Sequence, residues 1–519
     1  MVVLDFYEHS GASSLGLWST AIAYLFALAA FYVTAIAIYN LYFHPLRKYP
    51  GPKSLAISRL RYVWWMSQGS LVPNWKRLHE QYGDVVRTGP NELSYIDPGA
   101  WKTIYGHHQQ GEGFRKNPMF NEAASNGVHS ILTAEGETHR RMRRALAYAF
   151  SDKALQEQGD ILQHFTKLLI RRLREEVGSA HRSPVDLFQW YNWTTFDLIG
   201  DLSFGEPFYC LEKGQFSDWV AMVYNSFKTI AFLNITKSLA PLDKVAKMLI
   251  PKSMKAKKIR LFMGNSGKVD HRLAMKTDRH DFLSYIIKSD ESVENEEDST
   301  LAKEELYANS TLLVLAGSES TASVLSAMTF FILKSPTVLR KATDEIRSAF
   351  KTESEITLTA VRELPYLAAV VSEALRMYPP FPEGLPRITP REGAMICGGF
   401  VPPGTFVQVS HYAIQRSPRN FTHPDSFAPE RWLGNAEFAA DNKEAAQPFS
   451  VGPRSCIGRN LAYLEMRLIT AYMLWNFDME LCAESSEWDH QASFIQWDKK
   501  PLLVKLIPSV RKEKMTTGN

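Results

Sequence analysis

Hydrophobic and polar positions alternate in three different ways along this chain. From Ser10 to Leu46 there is no Asp, Glu, Lys or Arg, and the apolar stretch runs from Leu15 to Phe43. That exceeds the ~20 residues a helix needs to cross a hydrocarbon core, and Trp18 at one end and Tyr39, Tyr42 and Phe43 at the other mark its two interfaces. From about Ala134 to Arg376 the apolar residues recur at helical spacing, as in Ala154–Glu176 and Leu301–Leu333. This region reads as a succession of amphipathic helices. Alternating, strand-like runs are confined to Val85–Thr88 and Leu93–Ile96 early, and to Ala394–Cys397, Thr405–Ser410 and Leu502–Ile507 late. The pattern predicts one mainly α domain with a minor β component assembled from distant segments.

The flanks of the first segment set its meaning. A cleavable signal peptide would have a basic start and a short apolar core, whereas this start is acidic (Asp5, Glu8) and its apolar run is long. Arg47, Lys48, Lys53, Arg59 and Arg61 all follow the span and no basic residue precedes it. By the positive-inside rule the body faces the cytosol. Asn-x-Ser/Thr triplets at Asn192, Asn234, Asn309 and Asn420 are accordingly read as chance matches. The predicted organisation is a non-cytosolic N-terminus (1–14), a transmembrane helix (15–43), a Pro-rich hinge (44–53), a catalytic body (54–510) and a tail (511–519). The acidic run Ser289 to Thr300 is expected to be a solvated loop between two helices.

Composition narrows the class without naming it. The 519 residues are 45% hydrophobic, with 59 Lys+Arg against 55 Asp+Glu. Such a balance excludes a disordered chain and a dedicated nucleic-acid binder. Cys210, Cys397, Cys456 and Cys482 are too few and too scattered for a disulfide scaffold.

One of these cysteines sits in an unusual frame. In Phe449-Ser-Val-Gly452-Pro-Arg454-Ser-Cys456-Ile-Gly458, two glycines allow a tight loop around the sulfur, and an amphipathic helix starts just beyond it. Helix N-termini and cations stabilise thiolates, so this loop is expected to hold a sheltered thiolate suited to a metal. The run resembles the haem-binding signature of the cytochrome P450 superfamily, Phe-x-x-Gly-x-Arg-x-Cys-x-Gly, at each fixed position.

That resemblance implies a set of roles. Cys456 becomes the axial ligand of haem b iron, held in a loop with Phe449, Gly452, Arg454 and Gly458. Glu373, Arg376 and Arg431 become a structural triad beneath the haem. The mid-helix segment 316–321 resembles the oxygen-activating stretch, with Ala316 and Gly317 against the haem and Glu319, Ser320 and Thr321 as proton-delivery residues. His139, standing where the family commonly has Trp, and Arg143 and Arg387 become partners of the haem propionates. Of the basic run 140–144, some members are expected to face the haem and others the surface. Pocket walls are expected in the 108–128 loop, at Ala316, in the 380–386 segment and at Phe494-Ile495.

The activity implied is monooxygenation of a lipophilic small molecule by O2. No dinucleotide motif of adequate context is present, so NADPH electrons would arrive through NADPH-cytochrome P450 reductase, with cytochrome b5 as a further donor. The sequence flavour resembles fungal members acting on terpenoid or polyketide intermediates at the endoplasmic reticulum membrane. A haem-thiolate isomerase or dehydratase and a non-catalytic haem sensor or electron-transfer protein are the rival readings.

Residues 240–261 mix Leu, Ile and Met with seven Lys and Arg. Such a segment lies on an anionic membrane surface or forms a solvated helix pair. Replacing Leu249 and Ile250 with Asp is expected to weaken membrane binding of an anchor-deleted protein in liposome flotation. Unchanged flotation would assign the segment to the solvated pair.

Overall fold

The structure, a computed structural model, describes residues 8–108, 113–118, 123–178, 184–216, 220, 252–275, 277, 279–291 and 301–509. The basic segment 240–251, the acidic residues 292–300, parts of the 108–128 loop and the tail lie outside them.

Helix α1 (Glu8–Ile38) continues as a wider turn over Tyr39–Phe43, and its Trp18–Phe43 stretch is uncharged and exposed. The junction with the body is fixed by polar contacts. Asn40 is buried, its Nδ2 donates to Ile57 O at 3.2 Å, and its own carbonyl accepts from Arg87 Nη1 at 2.8 Å. The hinge then lies against β1 (Val85–Gly89). Arg87 N donates to Pro50 O at 2.7 Å, and a Cβ on Gly51 would stand 2.6 Å from Arg87 O. The Pro-rich hinge is therefore docked, with Leu46 fully buried behind it.

The main core forms around two helices. Every residue of α4 (Leu187–Phe204) except Gln189 is buried. Asp186 caps its start by accepting from Phe188 N at 3.1 Å, and Gly205, left-handed at φ +71°, ends it. Against it packs α5 (Lys303–Lys334), with Glu304 and Glu305 in its first turn and Lys334 in its last, the charge order a helix dipole favours. Their contact explains Gly317: a Cβ there would come within 2.7 Å of Ile199 Cδ1. Tyr191 and Thr329 share a hydrogen bond across the same interface at 2.9 Å. The helices α2 (Gly136–Ala147), α3 (Gly159–Gly178), α6 (Pro365–Met377) and α7 (Arg459–Asn476) complete the helical body. The helix expected over 154–176 breaks at Gln158, whose buried amide donates to Ala149 O at 3.2 Å.

Five short strands form the larger sheet, in the order β1, β2 (Glu92–Tyr95), β8 (Phe406–Val409), β5 (Arg387–Ile388) and β3 (Arg115–Lys116). Only β2 and β8 run parallel, joining segments more than 300 residues apart. A second sheet orders β4 (Val185–Asp186), β12 (Leu503–Pro508) and β9 (Phe477–Leu481). Hairpins β6–β7 (Ala394–Ile396, Gly399–Val401) and β10–β11 (Ser493–Phe494, Gln496–Trp497) stand apart. Asn192, Asn309 and Asn420 are buried, which closes those triplets to any glycan; Asn234 lies outside the described residues.

The expected triad is present and larger than predicted. Arg376 donates twice to Glu373, at 2.9 and 2.7 Å, and Arg431 Nε donates to Glu373 Oε1 at 3.3 Å. Arg431 also pairs with Asp441, and all four side chains are fully buried. Trp432 Nε1 and Ala428 N supply two more donors to Glu373, at 2.9 and 3.0 Å. Burial alone would raise the Glu373 carboxyl, but the charges of Arg376 and Arg431 and their hydrogen bonds hold it below its ordinary value. Its contribution to stability is thus complete at neutral pH and is lost only as pH falls beneath the usual carboxylate range. Glu373→Gln leaves a buried net positive charge and is expected to cost ~3–5 kcal/mol in chemical denaturation.

Candidate active site

The cysteine loop owes its shape to one contact. Gly452 is left-handed (φ +75°), and a Cβ on it would stand 2.0 Å from Tyr105 O. No side chain fits there, so the loop lies flush against helix Gly99–Tyr105. The turn is closed by Cys456 N donating to Phe449 O at 2.9 Å. Phe449 in turn packs its ring 5.2 Å from that of Tyr463, on α7. Cys456 is itself exposed, although surrounding protein is close enough to shift its thiol by burial.

The electrostatics of that sulfur differ from expectation. Burial pushes the Cys456 thiol up; the Gly458 N–H and the charges of Arg143 and Arg459 pull it down without overcoming the burial. The N-terminus of α7 is three residues away and does not reverse the balance. The loop alone favours the thiol, and a thiolate here needs a bonded cation.

Next to the loop lies a group of cations crowded against one another. Lys116 on β3 stands directly opposite Arg387 on β5, a like-charge pair that disfavours the sheet by itself. Burial, then Arg454 and Arg387, pushes Lys116 down to about 7. Burial and Arg387 likewise push Arg454 down to about 10. One Arg454 nitrogen, Nη2, donates to Ala134 O at 2.9 Å, while Nη1 is buried and has no partner among the described residues. Buried His139 is pushed down to about 4 by burial and by Arg454, Lys116, Arg143 and Arg387, so it is neutral at pH 7. A buried donor without an acceptor, among cations that repel each other, fits a ligand bearing carboxylates. Together with the Cys456 thiol, this donor set fits an iron porphyrin with acidic side chains. Sequence reasoning missed Lys116; its strand is two residues long and shows no alternating pattern.

The basic run of α2 divides between the cysteine loop, α5 and the surface. Arg143 turns inward and donates to Ser455, on the cysteine loop. Arg141 is bidentate to Glu305 on α5, at 2.9 and 2.6 Å. Arg140 and Arg144 are exposed, Arg140 beside Glu137.

Within α5, Ala316 and Ser320 lie one turn apart on a face that is less buried than the flanking turns. The Ser320 hydroxyl donates to Ala316 O at 2.6 Å. Glu319 is buried and forms an ion pair with Lys499. Two expected residues point elsewhere. Gly317 meets Ile199 on α4 and lets the two helices pack closely. Thr321 is buried and bonds Glu465 on α7, whose carboxyl burial raises to about 8. The 380–386 segment meets the β10–β11 turn, where Ile495 N donates to Glu383 at 3.3 Å. Burial raises Glu383 to about 7.

This chain belongs to the cytochrome P450 family, whose model matches residues 50–506. It is 66% identical over 469 residues to cytochrome P450 monooxygenase atr2 of Stereocaulon alpinum, covering 90% of this chain and 92% of that one. Cytochrome P450 monooxygenase efuB of Hormonema carpetanum is 42% identical over 497 residues (95% and 97% covered), and averantin hydroxylase of Dothistroma septosporum is 43% identical over 494 (94% and 92%). The protein is thus a haem-thiolate monooxygenase that uses O2 and electrons from a reductase. The relatives' names fall on the monooxygenase side of the choice against isomerase or sensor. If the cation group binds the acidic side chains of a haem, Lys116→Met removes one of its charges. It is expected to speed haem transfer to apomyoglobin roughly 10-fold, the loss of one charge-assisted hydrogen bond.

Proposed function

We propose that residues 54–510 form a catalytic body that hydroxylates a lipophilic terpenoid or polyketide intermediate of fungal secondary metabolism. The observation that supports the site assignment is a group of three cations, Lys116, Arg387 and Arg454, crowded beside the Cys456 loop, with the buried Nη1 of Arg454 lacking an acceptor among the described residues. Kinship with an averantin hydroxylase and with other fungal monooxygenases supports hydroxylation of a small molecule in secondary metabolism.

In this reading Cys456 ligates the iron, and Lys116, Arg387, Arg454 and neutral His139 bind the haem carboxylates. The haem supplies activation of O2 when bound. Arg143 braces the cysteine loop through Ser455. The Ala316–Ser320 face lines the opposite wall, where the Ser320 hydroxyl can turn from its backbone carbonyl toward the reacting oxygen. Glu319 is the acid that returns protons to that hydroxyl. Glu373, Arg376, Arg431 and Asp441 support the proximal side without touching substrate. Electrons come from NADPH-cytochrome P450 reductase docked on exposed basic residues such as Arg140 and Arg144. Helix Trp18–Phe43 anchors the body to the endoplasmic reticulum membrane, with the cytosol on the body's side.

Microsomes holding the protein and its reductase are expected to convert a terpenoid or polyketide pathway intermediate to a product heavier by one oxygen, with 18O2 as the source. No oxygenated product from either class would reject the substrate assignment. Cys456→Ala is expected to abolish the thiolate-type Soret band of the reduced-CO difference spectrum. Retention of that band would reject Cys456 as the ligand.

A further inference from the structure

Glu319 does not stand alone in the helix. Lys499, 180 residues further along the chain, closes an ion pair on its Oε1, and both side chains are about 3% exposed. Glu319 Oε2 is buried as well and meets no donor among the described residues. The carboxylate is therefore bound on one oxygen and open on the other.

The mount of Lys499 is unusually well fixed for a loop. It lies between β11 and β12, and hydrogen bonds hold the chain on both sides of it. Trp497 Nε1 donates to Pro379 O at 2.9 Å and Asp498 N to Ala492 O at 2.7 Å. Lys500 O accepts from Trp488 Nε1 at 2.8 Å, and Leu502 N donates to Asp186 Oδ1 at 2.8 Å. Phe188 on α4 lies beneath the ammonium, 6.0 Å from ring centroid to Nζ. Such anchoring suits a group that must hold another to a fraction of an ångström.

We propose that Lys499 is a positioning residue for the proton path of this enzyme. It binds Glu319 through Oε1 and leaves Oε2 as the one open acceptor, the oxygen that receives a proton and passes it on toward Ser320. A neutral side chain at 499 would leave Glu319 as a buried carboxylate without a counter-charge and without the contact that fixes its orientation, so nothing would hold Oε2 in place. The inference rests on the monooxygenase site reading above, with Glu319 as the proton-returning acid.

The test uses the full-length protein with its reductase, comparing Lys499→Met, Lys499→Arg, Glu319→Gln and the Lys499→Met/Glu319→Gln double variant. Lys499→Met is expected to lower product turnover per haem roughly 10-fold, with more NADPH electrons leaving as hydrogen peroxide. Lys499→Arg keeps the charge and is expected to restore most of the coupling. In the Glu319→Gln background Lys499→Met is expected to add nothing, because the two act as one unit. A second readout needs no turnover. The melting midpoint of Lys499→Met is expected to fall by on the order of 5 °C and to recover in the double variant, where no buried charge is left alone.

Wild-type turnover and peroxide share in Lys499→Met would overturn the proposal, even with a lowered midpoint, since that is the result of a purely structural pair. Additive losses in the double variant would overturn it too. A reduced-CO spectrum of each variant separates this failure from the other. A thiolate-type band with unaltered coupling rejects the role of Lys499 alone, whereas its absence from the wild type rejects the haem site itself.

Discussion

Four buried charges that cancel one another, Glu373, Arg376, Arg431 and Asp441, set the constraint on which the proximal half of the molecule depends. Charges withdrawn from water are costly unless each has a partner and its remaining hydrogen-bonding atoms are used. Here Arg376 spends its other N–H groups on the carbonyls of Gln415, Pro424 and Ser426, and Arg431 donates to Thr422 O. Those carbonyls belong to the irregular stretch between β8 and the cysteine loop, which has little regular structure to hold it. The network thus does for this stretch what a sheet or helix does elsewhere. Asp441 closes it, and the chain then runs directly into the Phe449–Gly458 loop.

The opposite arrangement prevails a short way along the chain. Burial, Arg454 and Arg387 lower the proton affinity of Lys116, burial and Arg387 lower that of Arg454, and one buried Arg454 donor has no partner among the described residues. One cluster is neutral and satisfied within the protein; the other has more cations than anions and suits an anionic ligand. The contrast distinguishes a network that serves the fold from a group of cations, beside Cys456, that the fold does not require.

What could be read in the sequence was what is local. The cysteine loop is legible because Gly452, Arg454, Cys456 and Gly458 act within one turn, and the Glu373–Arg376 pair because i, i+3 spacing joins them on one helix face. The apolar first helix is legible by its lack of charge. The strands at 85–88, 93–96, 394–397, 405–410 and 502–507 appear within a residue or so of those positions. Residues whose meaning comes from distant partners were not legible. Asp441, Lys116, Glu465 and Lys499 have no pattern around them, and each is defined by a group on another element. Gly317 and Thr321 also have partners that sequence order does not show, Ile199 on α4 and Glu465 on α7.

The join between the first helix and the body has a mechanical consequence. Asn40 is clamped to Ile57 and Arg87 within the wider turn that ends the helix, and Tyr49 reaches across to Phe400 O at 2.9 Å. Helix and body therefore turn together, as a flag turns with its pole. In a bilayer the tilt of the one would fix which side of the other faces the lipid. A redox partner confined to the same surface would then have only rotation about the membrane normal left to search.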